Sequence, residues 1–254
     1  MLSPKEVKHQ HKSKFDRPKL AEPVTYRVVF KKTGNLQYFS HLDLQRTWQR
    51  VLVRASIPMW YTQGFNPHSK IVFGVPLPVG SEGLEEMVDL RIDREISCEE
   101  VKAQLNAELT HEMQVSEVYI PKTSFADIAW GVYDITMQTA GDAAKVAARI
   151  HAYFNEDTDP IMMMKRSKSG DKEVDIRPMV YSIKASADMH GLIHIRAILR
   201  AGNSQNLNPE YIVKAIRDRL FAPSEDESAD DDWYTILRIG FYTEKAVDSG
   251  NWFR

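Results

Sequence analysis

From Tyr26 to Ile120 the apolar pattern alternates between strand and helix spacing in a single order: strand, helix, strand, strand, helix, strand. Tyr26 to Phe30 is extended and runs into the turn residues Thr33-Gly34-Asn35. Ser40 to Ser56 is helical. Ser40 is a good N-cap, Asp43 is the acidic partner of a capping box, and Leu44, Trp48, Val51, Leu52 and Ala55 form the stripe to be buried. Met59 to Tyr61 is a short extended run behind Pro58. Lys70 to Val75 and Met87 to Ile92 are strands on either side of the turn-rich Pro76 to Gly83. Ser97 caps a helix to Leu109, with Glu99 and Glu100 in its first turn, and Met113 to Ile120 closes the set. This order is the ferredoxin-like βαββαβ pattern.

The second half is expected to repeat this order. Val132 to Met137 alternates like a strand, and Ala143 to Phe154 is an alanine-rich helix. Ile161 to Lys165 and Val180 to Lys184 are extended, with a Lys168-Ser169-Gly170-Asp171 turn between them. Leu192 to Leu199 is a strand, Pro209 to Leu220 a helix capped by Asn208, and Trp233 to Tyr242 the last strand. No residue-level repeat accompanies this, so the duplication rests on element order alone. The expected fold class is α+β, with two tandem ferredoxin-like units. Residues 1–22 read as a flexible basic tail, 23–122 as the first unit and 130–254 as the second, which carries an acidic loop at 224–232.

Composition bounds the function. A formal net charge of -2 gives no global attraction to nucleic acid or to an anionic membrane, so any such binding needs a local patch. No apolar run approaches the roughly 20 residues of a membrane span, and the start of the chain is too polar for a secretory leader, so a cytoplasmic protein is expected. The single Cys98 excludes an internal disulfide and a cysteine-ligated iron–sulfur cluster built by this chain alone. It stands at a helix start beside glutamates, which suits a structural thiol. There is no Walker loop, no Gly-x-Gly-x-x-Gly, no nucleophile elbow and no zinc helix, and no cofactor is expected.

The chemistry that remains lies in two segments. His41 and Asp43 sit at the start of the first helix, where free backbone N–H groups can hold an anion. The loop Gln63-Gly64-Phe65-Asn66-Pro67-His68-Ser69-Lys70 carries a second histidine on irregular backbone, since Pro67 biases Asn66 away from the α region. His41, Asp43, His68 and Asp175 are the candidate catalytic side chains. Two histidines and a carboxylate are also a legitimate ligand set, but nothing in the sequence brings them together, and no metal is expected. Arg46, Arg50 and Arg54 recur every fourth residue and share one helix face, where they can clamp phosphates together with Lys70. Gln63, Phe65, Asn66 and Arg177 complete the candidate RNA contacts, with Trp60 and Tyr61 as further stacking aromatics. Each also has a plain structural reading, as a solvated helix face, a core aromatic or a surface salt bridge.

Phe39-Ser40-His41-Leu42-Asp43-Leu44, the Gln63 to His68 loop and the Leu77-Pro78-Val79-Gly80 turn, in this order, resemble the bacterial radical-SAM-linked protein family. The resemblance is strongest from Tyr26 to Ile120 and continues through Lys172 to Pro178. That family is a domain of unknown function found fused to, or encoded beside, radical S-adenosylmethionine proteins. The resemblance implies a radical-SAM partner and no particular reaction. Three readings follow: an accessory protein that binds RNA (tRNA or rRNA) for a partner enzyme, an RNA-acting enzyme of endonuclease or pseudouridine-synthase type, and an accessory domain for a small molecule or protein. The first is favoured, on the family association, the arginine stripe and the tandem ferredoxin-like pattern; whether the chain catalyses a reaction stays open, leaning to no, because neither enzyme family's full motif is present.

Overall fold

The computed structural model of the chain describes residues 17–139, 141–167, 170–202, 205–220 and 233–254. They form two compact units. The first runs to Gly74 and resumes over Glu86–Pro121; the second takes Val75–Glu85 and continues from Lys122.

The first unit contains β1 (Lys19–Lys32), α1 (His41–Arg54), β2 (Ile71–Phe73), the Glu86 end of β3 (Ser81–Arg94), α2 (Cys98–Glu108) and β4 (Val115–Tyr119). Its strand order is β4-β1-β3 with β2 on the far side of β3, and the β1–β4 and β2–β3 pairs are antiparallel. Alternation decides which side chains go inward. Val28 and Phe30 of β1 and Val88, Leu90 and Ile92 of β3 meet Leu44, Trp48, Val51 and Leu52 of α1 and Val101 and Leu105 of α2. Trp48 is fully buried, edge-on to Phe30 at 4.9 Å. Burial of each such side chain contributes about 1.5–3 kcal/mol. After β1 the chain turns through Gly34 at φ 60, a left-handed position suited to glycine, into a short 3-10 helix, Gly34–Tyr38. The basic tail expected over residues 1–22 lies outside the described residues as far as residue 16. From Arg17 onward the chain is built into the unit: Arg17 pairs with Glu100 of α2, and β1 begins at Lys19.

The second unit contains β5 (Ile128–Gln138), α3 (Ala143–Asn155), β6 (Met162–Ser167), β7 (Gly170–Asp175), β8 (Val180–Ala187), β9 (Leu192–Arg200), α4 (Glu210–Leu220) and β10 (Tyr234–Thr243). The order is β10-β5-β9-β8, all antiparallel, with Ser81–Gly83 of β3 running parallel to Ile236–Arg238 of β10. Ile135, Ile195 and Ile183 face Ile150 of α3 and Ile212 and Ile216 of α4. The opposite face holds Trp130, Val132 and Tyr242 with Val247. Trp252, near the C-terminus, stacks on Tyr242 at 4.7 Å.

Counted along the chain within each unit, and leaving β6 and β7 aside, both orders read fourth, first, third, second. The expected α+β class is present, as four helices with a large mixed sheet among the described residues. One pairing differs from the expectation. The strand from Met162 does not turn back into Val180; it pairs with β7 in its own hairpin, Met164 opposite Glu173, while β8 pairs β9. The nearer partner wins because closing a short turn orders fewer residues. The acidic loop expected at 224–232 and the turn residues 168 and 169 lie outside the described residues. Among the described residues no helix is long and apolar enough to cross a membrane.

Candidate nucleic-acid interface

The start of α1 is built by Ser40. Its backbone is extended, and its Oγ accepts from the Asp43 amide at 3.2 Å, which satisfies one of the free N–H groups of the first turn. The same hydroxyl donates to Asp43 Oδ2 at 2.6 Å, so the acid bonds the cap's side chain. Asp43 also lies 3.8 Å from Arg46. His41 is exposed and makes no hydrogen bond to Asp43. Its ring stands edge-on to Phe73 of β2 at 5.3 Å.

The loop that leads into β2 is held by its own hydrogen bonds. The Thr62 amide donates to the His68 carbonyl at 3.0 Å, and the His68 amide donates to Thr62 Oγ1 at 3.2 Å. His68 Nδ1 lies 3.1 Å from Thr62 Oγ1 and 3.2 Å from the Asn66 carbonyl. Tyr61 and Ser69 bridge at the base. Every residue from Gln63 to His68 is exposed, and Phe65 at the tip reaches 109 %. A hairpin thus presents an aromatic ring wholly to solvent, against the hydrophobic effect, a placement that suits a contact surface. The helix start touches β2 through His41, while His68 is held inside its own loop. Among the described residues no group of three histidine, cysteine or acidic side chains has the geometry of a metal site.

The arginine stripe faces solvent. Arg46, Arg50 and Arg54 stand with Gln49 and Val53 on one exposed side of α1. Arg54 is drawn toward α2, its Nε 2.9 Å from Glu108 Oε2. Arg50 makes no ion pair among the described residues. Lys70 is exposed. In the second unit, Arg177 spends its donors on the last turn of α3, on the carbonyls of Tyr153 at 3.1 Å and Phe154 at 3.3 Å, and on Asp159. Asp175 Oδ1 accepts from the amides of Ile161 at 2.9 Å and Arg177 at 3.0 Å, pinning the ends of the β6–β7 hairpin. Burial first, and Glu99 second, push the Cys98 thiol up.

Thr62, Phe73 and Glu108 are partners that sequence reasoning missed. Thr62 carried a weak signal, as a hydroxyl at the edge of a turn-rich loop. Phe73 and Glu108 carried none, because their partners come from other elements.

No curated protein matches the chain. A crystal structure of an unknown protein from Galdieria sulphuraria aligns at 8 % identity, over 85 % of this chain and 99 % of that one, with a TM-score of 0.25. Residues 25–209 match the family described as "Uncharacterized protein conserved in bacteria (DUF2344)", and the chain therefore belongs to that family.

Proposed function

We propose that the chain is a cytoplasmic accessory protein built of two tandem ferredoxin-like units, which binds RNA for a radical-SAM partner and does no chemistry itself. The observation that carries the RNA reading is the solvent-facing row of Arg46, Arg50 and Arg54 along one helix on a chain of net charge -2. A local cation row on a nearly neutral chain gives phosphate affinity without general stickiness. Phe65 at the hairpin tip adds a face on which a base can stack. The matching strand orders support the fold assignment, and the motif resemblance supports the partner. Fold analogy adds no function by itself. A protein-binding accessory is the second reading, favoured by Leu42 at 60 % and Val53 at 69 % exposure on the same helix.

The test is fluorescence anisotropy with tRNA and rRNA fractions across a salt series, on a chain starting at Arg17 so that the basic residues before it cannot contribute. Arg50→Ala is expected to weaken binding and to shallow the log–log salt slope by about 0.7, the share of one neutralised phosphate on a single strand. Binding no stronger than that of a neutral control protein at low salt would remove the RNA reading and leave the protein-partner reading. Copurification from native cells identifies the partner.

A further inference from the structure

A cavity of about 420 Å³ is lined in part by Gln63, the first residue of the Gln63–Lys70 loop, and shares no residue with the arginine row. Its walls come from the beginning of β1, the end of β3 and the run Met59 to Tyr61, all in the first unit. Met59 and Ile92 bridge each other and are both buried in the core beneath the helices. Alternation then puts Trp60 and Asp93 together on the opposite face of the sheet. Backbone bonds fix both: the Trp60 amide donates to the Arg91 carbonyl at 2.7 Å, and the Asp93 amide to the Pro58 carbonyl at 3.2 Å. The rim carries Tyr61, Gln63, Lys19 and Arg94. Arg94 is oriented by its Nη1 bond to the Arg17 carbonyl at 3.1 Å and by Asp93 at 3.9 Å.

The chemistry is selective. Trp60 offers an aromatic face, which suits any base. An ionised carboxylate only accepts hydrogen bonds, so Asp93 favours an edge that donates. Cytosine, adenine and guanine carry an exocyclic amino donor; uracil presents carbonyl oxygens there. Lys19 and Arg94 supply positive charge for a phosphate. A volume of this size lies in the range of small-molecule sites and holds one nucleotide rather than a strand.

We propose that this cavity receives one nucleotide whose base bears an exocyclic amino group, with Trp60 against the ring, Asp93 on the amino group and Lys19 or Arg94 toward the phosphate. It deepens the RNA reading of the adjoining loop and rests on it for the source of the base.

The test is calorimetric titration of the whole chain with CMP, GMP, AMP and UMP. Saturable binding of the three amino-bearing nucleotides is expected, at least about tenfold tighter than UMP. Asp93→Asn, which keeps the shape and can donate as well as accept, is expected to erase most of that preference while leaving the urea midpoint near wild type. Trp60→Leu is expected to weaken all four. Equal binding of the four nucleotides, or a preference that survives Asp93→Asn, would overturn the proposal. RNA binding with an Arg50-dependent salt slope, but no binding of any mononucleotide, would sink the cavity and spare the RNA reading. Amino-selective mononucleotide binding without RNA binding would sustain the cavity and sink the RNA reading.

Discussion

Arg177 illustrates how one side chain can satisfy a sequence argument for binding and yet be held by the fold. Its guanidinium reaches the Tyr153 and Phe154 carbonyls at the end of α3, where a cation also suits the negative end of the helix. Its ring neighbour Tyr153 is 5.8 Å from Cζ. Removing it takes a donor from two partly buried carbonyls. Arg177→Ala is therefore expected to lower stability by about 1–3 kcal/mol, read as a lower urea midpoint. RNA affinity should stay at the wild-type value. A loss of affinity with an unchanged midpoint would restore Arg177 to the binding surface. The same contrast separates Arg50 from Arg54. Sequence spacing put both on one face, but only the structure shows that Glu108, from another helix, takes Arg54. Spacing reports which face a residue occupies and is silent about what comes to meet it.

Elements were legible wherever a local signal ends them. Ser40 and Ser97 cap their helices through the amides of Asp43 and Glu100, as the sequence implies, and the stripes behind them are buried. Asp142 caps α3 through the amides of Ala144 and Lys145, although the sequence pointed only to the alanines that follow. The β6–β7 hairpin was half legible: the alternation of Lys172 to Asp175 marks a strand, but no periodicity says which neighbour that strand takes. The β8–β9 turn is organised by Asp188. Its Oδ1 accepts from the amides of His190 at 2.8 Å and Leu192 at 2.9 Å, and its Oδ2 lies 2.9 Å from His194 Nε2. The bond to His194 first, and that to the Leu192 amide next, hold this carboxyl at about 2, below its ordinary 3.8. A depressed carboxyl contributes stability that is complete above its ordinary value and is lost as pH falls through the folded value. The turn should therefore weaken between pH 3.8 and about 2. Asp188→Asn should lack that step, which comparison of urea midpoints across the acid range would reveal. Parallel curves for the two proteins would mean that the turn is held by something else.

At the scale of the whole molecule, the least legible feature is the path of β3. The sequence reads Pro76 to Gly83 as a turn, yet Ser81–Arg94 is one strand whose burial changes phase after Gly83; its first residues belong to the second unit and the rest to the first. A pairing partner more than a hundred residues away leaves no mark on local spacing. The consequence can be argued within the second unit alone. Ser81–Gly83 covers the edge of β10 along Ile236–Arg238. Arg238 is wholly buried, donates to the Val75 carbonyl at 2.7 Å and the Pro76 carbonyl at 3.4 Å, and lies 4.7 Å over the Phe241 ring. Arg254 pairs with Glu85 at 2.7 Å. A fragment of residues 122–254 keeps both arginines and loses Val75–Glu85. Its β10 becomes an open edge, a template for pairing with another chain. Its Arg238 loses two carbonyl acceptors, and a hydrogen bond to a charged group contributes about 1.5–3 kcal/mol. The fragment is expected to self-associate and to unfold at lower urea than the second unit does in the full chain. A synthetic peptide of Val75–Glu85 should bind it, raise the midpoint and suppress the association, whereas a peptide with Ser81, Glu82 and Gly83 replaced by proline should not, since proline cannot donate to the ladder. Sedimentation and urea titration with each peptide decide the matter: a monomeric fragment, indifferent to both peptides, would mean that the second unit closes its sheet without the borrowed strand.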